Sequence, residues 1–182
     1  MKMRIISGEL KGRLIKVPDS KLIRPTTDRV RETLFNLLNN RLDFDGIDVL
    51  DIYSGSGSLG FECISRGAAS VSFVEKNFPI YRNLEENIKS LGLDKQCRIF
   101  KMEAVKFSVW EEHPKFDLIL ADPPFFEYDV LSVVKNFLAG SFLKEDGRII
   151  VERSVQTKEK DEAGFGTESF KRVGDSLLYE FM

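Results

Sequence analysis

From Gly46 onward, short apolar runs alternate with longer amphipathic segments, and this alternation leaves few architectures open. Ile47–Ile52, Val71–Glu75, Arg98–Lys101, Phe116–Ala121 and Arg148–Glu152 each read as a strand. Helices are predicted between them: from the Gly55–Gly60 loop to about Arg66, from Pro79 to Gly92, over Glu103–Glu111, and over Tyr128–Ala139. Pro79 suits a first helical turn, and Gly92 suits a stop. Strands that are apolar almost throughout are buried on both faces, which implies a parallel sheet with helices on either side. Ser169–Val173 and Leu177–Phe181 flank Gly174-Asp175-Ser176 and read as a closing antiparallel hairpin, giving seven strands.

The first 42 residues follow another pattern. Met3–Ser7 and Leu14–Val17 predict a hairpin, Pro18–Pro25 a loop, and Val30, Leu34, Leu37 and Leu38 recur at helical spacing. Residues 1–41 carry ten Lys/Arg against four Asp/Glu, while residues 42–182 carry seventeen against twenty-five. A basic extension (1–42) on an acidic catalytic unit (43–182) suits contact with a polyanion. Arg4, Lys11, Arg13, Arg24, Thr26, Arg29 and Arg31 are the candidate phosphate contacts. No apolar run is long enough to span a membrane, and no signal-peptide core follows Met1. Cys63 and Cys97 are isolated and His113 is the single histidine, so neither a metal site nor a Ser-His-Asp triad is expected. The expectation is a cytoplasmic monomer with reduced thiols.

Gly55-x-Gly57-x-x-Gly60 lies between a strand and a helix, as a dinucleotide loop does. Asp51, four residues earlier, argues for a different ligand. An anion there is unhelpful beside a pyrophosphate but suits the ammonium of S-adenosylmethionine. Glu75, at the end of the second strand, is placed to take ribose hydroxyls. Glu103, after the third strand, is placed either for an adenine amine or as an acid at a helix N-terminus. The candidate cofactor set is Asp51, Tyr53, Gly55, Ser56, Gly57, Gly60, Glu75, Lys76, Glu103 and Ala104.

The fourth strand ends in Asp122-Pro123-Pro124-Phe125. Two prolines end the strand and stiffen the chain. Asp122 and the Pro123 carbonyl then offer two fixed acceptors, and Phe125 a stacking face. A nucleobase amine is a poor nucleophile because its lone pair is delocalised. Two such acceptors favour a pyramidal nitrogen and stabilise the charge formed on attack at a sulfonium methyl. The base has to be unstacked to fit.

The motifs occur together and in order: Met3-Arg4-Ile5-Ile6-Ser7-Gly8, Gly12-Arg13, Arg24-Pro25-Thr26-Thr27-Asp28-Arg29-Val30-Arg31-Glu32, the glycine loop, and Asp-Pro-Pro-Phe. In this the chain resembles the RsmD family of bacterial 16S rRNA guanine-N2 methyltransferases over nearly its whole length. The resemblance implies a Rossmann-like class I methyltransferase fold, S-adenosylmethionine as donor, and a guanine of the small ribosomal subunit as acceptor. It also implies that an assembled particle is preferred over naked RNA. Tyr53-Ser54 stands where the family more often has Phe-Ala. Lys158–Glu162 carries no family signature, and the sequence assigns it no role. The competing readings are amine transfer to adenine N6 or a protein glutamine, a nicotinamide-dependent oxidoreductase, and a silent RNA-binding module.

Overall fold

The computed structural model describes residues 1–18, 27–124 and 126–182. Arg24, Thr26 and Phe125 therefore lie outside the described residues. The chain begins with an antiparallel pair, β1 (Lys2–Arg4) and β2 (Leu14–Lys16), followed by helix α1 (Asp28–Asn39). Thr27 caps α1 by accepting from the Val30 N–H at 3.3 Å.

The larger unit then runs β3 (Asp48–Ile52), α2 (Ser58–Ser65), β4 (Ser70–Val74), α3 (Phe78–Leu91), β5 (Cys97–Phe100), α4 (Ala104–Phe107), β6 (Phe116–Ala121) and α5 (Asp129–Ala139). It closes with β7 (Leu143–Ser154), α6 (Lys158–Phe165), β8 (Lys171–Val173) and β9 (Ser176–Phe181). The seven strands order as β5-β4-β3-β6-β7-β9-β8. β5 to β7 are parallel, and β9 pairs antiparallel with both β7 and β8. The mixed sheet and the N-terminal pair are those expected from the sequence. Strand order reverses between β3 and β6, so a crevice opens above the carboxyl ends of these two strands. No helix among the described residues is long and apolar enough to cross a membrane.

α3 starts and stops as its sequence directs. Asn77 accepts from the Ile80 N–H, Pro79 sits in the first turn, and Gly92 ends the helix in the left-handed region at φ 73°. β7 begins earlier than expected. Phe116 pairs with Leu143 but Leu118 pairs with Arg148, so the intervening Lys144–Gly147 bulges out. The sequence of that bulge reads as a turn. Lys144 uses it to reach Asp48 Oδ2 at 2.7 Å and Asp117 Oδ2 at 2.8 Å.

The N-terminal segment is bonded to the larger unit by buried contacts. Met3, Ile5, Ile15, Leu34 and Phe35 belong to the same apolar cluster as Val49, Phe61, Val71 and Phe73. Glu62 on α2 is fully buried. Its two carboxylate oxygens accept from the Ile6 and Ser7 N–H groups at 2.9 and 3.0 Å and from Arg66 at 2.9 Å. Asn87 on α3 accepts from the Lys16 N–H at 2.8 Å and donates back to the Lys16 carbonyl at 2.9 Å. Glu62→Ala leaves the Ile6 and Ser7 N–H groups and Arg66 without their acceptor, and each donor left unsatisfied away from water costs about 1–3 kcal/mol. A lower melting temperature and faster proteolysis within the first 18 residues are the expected outcome, read by calorimetry and limited trypsin digestion.

Candidate active site

β3, β4 and β6 end side by side, and each delivers a carboxylate to the crevice: Asp51, Glu75 and Asp122. Asp51 is 2% exposed. Its Oδ2 accepts from the Gly60 N–H at 2.9 Å, so the same carboxylate caps α2. Glu75 is buried, with one oxygen on the Gly55 N–H at 3.2 Å and the other on the Asn77 N–H at 2.8 Å. Asp122 is half-buried. Burial pushes the Asp51 carboxyl well above the usual carboxylate range, the Gly60 bond opposes this, and the charges of Asp122 and Glu75 push it further. The three groups thus form an electronegative crevice in which the charges of Asp122 and Glu75 raise the cost of ionising Asp51.

The loop from Tyr53 to Gly57 lies over this crevice. Ser54 Oγ donates to the Val74 carbonyl at 3.1 Å and accepts from the Val74 N–H at 2.9 Å, tying β3 to β4. Gly57 is left-handed at φ 80°. A Cβ at Gly60 would come within 2.4 Å of the Phe73 ring, so only glycine lets α2 lie this close to the sheet. A Cβ at Gly55 would meet nothing nearer than the Tyr53 carbonyl at 3.9 Å, so the space in front of the loop is open. Ser56 is buried, and its carbonyl accepts from Asn87 Nδ2 at 3.4 Å. Tyr53 itself holds φ 62°, a strained conformation for a non-glycine residue. Its hydroxyl donates to Asp129 Oδ1 at 2.7 Å, and burial together with that bond pushes its pKa well up.

The segment after β6 is a tight turn. Pro123 is buried and Pro124 exposed. The Pro124 carbonyl accepts from the Glu127 N–H at 2.9 Å and from Arg153 Nη1 at 3.5 Å. Phe126 is 72% exposed beside it, and Phe78 at the start of α3 is 55% exposed, with Lys101 Nζ 4.7 Å from its ring centroid. Lys76 is exposed and reaches Glu127 Oε2 at 3.7 Å. That contact links the segment after β4 to the segment after β6.

The remaining candidates differ in exposure. Glu103 is exposed and pairs with Lys106 at 3.3 Å, while Ala104 is buried in the apolar cluster under β6. On the basic extension, Arg4, Lys11, Arg13 and Arg29 are exposed. Arg31 is not. Its side chain is fully buried, and its Nη2 donates to the Arg4 carbonyl at 3.1 Å and to Asp28 Oδ1 at 2.7 Å. The phosphate contact expected of Arg31 is therefore corrected to a structural one. Its place in the i, i+3 spacing from Asp28 is the signal that sequence offered for this. Glu127, Arg153 and Tyr128, which surround the turn, were not among the expected site residues. A charged pair, Glu152-Arg153, closing an apolar strand was the available sign.

The family model described as "Conserved hypothetical protein 95" matches residues 3–181. Ribosomal RNA small subunit methyltransferase D of Escherichia coli K12 is 36% identical over 157 residues, covering 85% of this chain and 76% of its own. YlbH of Bacillus subtilis is 33% identical over 164 residues, covering 89% of this chain and 88% of its own. The chain belongs to the RsmD methyltransferase family. The solved structure of yhhF from Escherichia coli superposes with a TM-score of 0.81 at 30% identity, covering 99% of this chain and 98% of that one. The methyltransferase fold thus accounts for a crevice lined by acids rather than by phosphate-binding groups.

Because the folded-state pKa of Asp51 is raised, its contribution to stability is full below the unfolded value of about 4 and is lost as pH rises through the folded one. Asp51→Asn keeps an acceptor for the Gly60 N–H and removes the charge. The ligand-free variant is expected to melt higher than the unsubstituted protein at pH 8, with the gap closing towards pH 4, as measured by calorimetry.

Proposed function

We propose that this chain transfers a methyl group from S-adenosylmethionine to the exocyclic N2 amine of a guanine in 16S rRNA, on an assembled or assembling small subunit. The observation that carries the reading is the convergence of Asp51, Glu75 and Asp122 on one crevice. A ligand with an ammonium and a sulfonium relieves that repulsion, whereas a pyrophosphate adds to it. The donor set fits. Asp51 suits the ammonium, Glu75 the ribose hydroxyls, and the open face of Gly55 allows close backbone approach. S-adenosylmethionine supplies an electrophilic methyl on a positively charged sulfur.

The chain's own residues orient and polarise the acceptor. Asp122 and the Pro123 carbonyl accept the two N–H bonds of the amine and direct its lone pair outward. A nitrogen–carbon bond forms as the sulfur–carbon bond breaks, and the bonding pair leaves with the sulfur. The extra proton on nitrogen is stabilised by Asp122 and passes to water, so no strong base is called for. Phe125 is assigned to stack on the base, and the exposed Phe126 suits a neighbouring unpaired base. The names of the relatives from Escherichia coli and Haemophilus influenzae support small-subunit rRNA as the acceptor. Arg4, Lys11, Arg13 and Arg29 supply exposed cations for its phosphates.

The test is transfer of labelled methyl to unmodified small subunits, naked rRNA and duplex DNA, followed by digestion to nucleosides. N2-methylguanosine from the particle is expected. Label in DNA or in protein overturns the acceptor, and no label in any of them overturns the activity. Asp122→Ala is expected to lower turnover about 100-fold or more while the protein stays folded. Asp51→Asn, more stable without ligand, should bind S-adenosylmethionine at least tenfold more weakly in calorimetry. For the RNA, replacing Lys11 and Arg29 with Ala should reduce the slope of log affinity against log salt by about 1.4, the value for two single-strand phosphate contacts. An unchanged slope places the RNA elsewhere.

A further inference from the structure

The charged stretch around α6, to which the sequence assigned no role, packs against the acceptor turn. Arg153, at the end of β7, has a fully buried side chain. Its Nε donates to Asp161 Oδ2 on α6 at 2.9 Å, and its Nη1 points to the Pro124 carbonyl at 3.5 Å. Asp161 is equally buried, and its Oδ2 also accepts from Thr157 Oγ1 at 2.5 Å. Lys160 Nζ lies 3.4 Å from the centroid of the Tyr128 ring, and the Arg153 guanidinium lies 5.6 Å from the same centroid. Gly164 lets α6 approach α5 closely, since a Cβ there would meet Leu131 Cδ1 at 2.6 Å. The Pro124 carbonyl also accepts from the Glu127 N–H. Arg153 therefore bears on the atom that closes the turn.

We infer that Arg153 and Asp161 are positioning residues: α6 is a brace that fixes the Asp122-Pro123-Pro124 turn in the geometry an acceptor amine needs. The inference rests on the reading of that turn as the acceptor site. A buried ion pair is a poor source of stability, because desolvation offsets its attraction. It does have direction. A guanidinium can hold a carboxylate with one edge and a carbonyl with another, which no apolar residue of similar volume can do. Asp161 sets the orientation of the guanidinium, and Thr157 sets that of Asp161.

The experiment is the double substitution Arg153→Met with Asp161→Leu, which removes both charges together and leaves neither buried alone. Four quantities are read: amide hydrogen exchange at Glu127, affinity for S-adenosylmethionine, melting temperature, and kcat for methyl transfer to the unmodified particle. The brace predicts faster exchange at Glu127 and a fall in kcat of about 10- to 100-fold, as expected for a misplaced acceptor. S-adenosylmethionine affinity should stay within about twofold and the melting temperature within a few degrees. Arg153→Lys keeps the ion pair but cannot span both acceptors, and is expected to fold and to give intermediate exchange and kcat. It carries the test if the double variant does not fold. Unchanged Glu127 exchange and unchanged kcat in a folded variant overturn the brace. Faster exchange at Glu127 in the double variant, with no methyl transferred by the unsubstituted protein, upholds the brace and overturns the functional reading instead.

Discussion

The placement of a carboxylate at the buried end of β3 is the constraint on which the rest of this structure depends. Asp51 has little water to solvate it and two more acids nearby, and the Gly60 N–H at 2.9 Å offsets only part of that cost. The glycine loop follows from this arrangement. α2 has to lie close enough to donate from Gly60, and it can do so only because no Cβ stands between the helix and Phe73. Ser54 then ties the ends of β3 and β4 together, which fixes Glu75 relative to Asp51. A parallel sheet supplies the frame, since it aligns the ends of the three strands.

The same α2 that bears the cofactor loop also holds the basic extension. Glu62 sits two residues beyond Gly60 and takes the backbone of Ile6 and Ser7. The hairpin is thereby held in fixed relation to the crevice, not tethered as a free arm. Its charges divide accordingly. Arg4, Lys11, Arg13 and Arg29 face solvent, while Arg31 serves to bind α1 to β1 through the Arg4 carbonyl. The exposed cations are therefore carried on a surface held in fixed relation to the crevice.

Much of the fold was legible because its signals are local. Apolar runs named the five parallel strands, and Pro79 and Gly92 marked α3 within a residue. Phe116–Ala121 has the bounds that its sequence suggested. The three acids were legible because each ends an apolar run. What sequence did not reveal depends on contacts between distant segments. The bulge in β7 is written as Lys-Glu-Asp-Gly, which is turn composition, and only the pairing of Phe116 with Leu143 makes it part of a strand. Arg31 looked like one more cation in a basic block, and its burial is decided by Asp28 and the Arg4 carbonyl. Glu103 stands at a strand end like Asp51 and Glu75, but its contact with Lys106, one turn on, is read only from the structure.

The turn after β6 is held by contacts of unequal strength. Lys76 and Glu127 meet at 3.7 Å with side chains 62% and 36% exposed, and such a pair contributes about 0–1 kcal/mol. Arg153 and Asp161 are fully buried, so their geometry is fixed by the surrounding packing and gives way only when the packing does. Tyr53 and Asp129 lie between these extremes, joining the strained residue of the cofactor loop to the first turn of α5. The turn is thus rigid on the side of α6 and adjustable on the side of Lys76. Lys76 can be displaced at little cost, whereas the contacts of Arg153 and Asp161 cannot be broken without opening the packing around them.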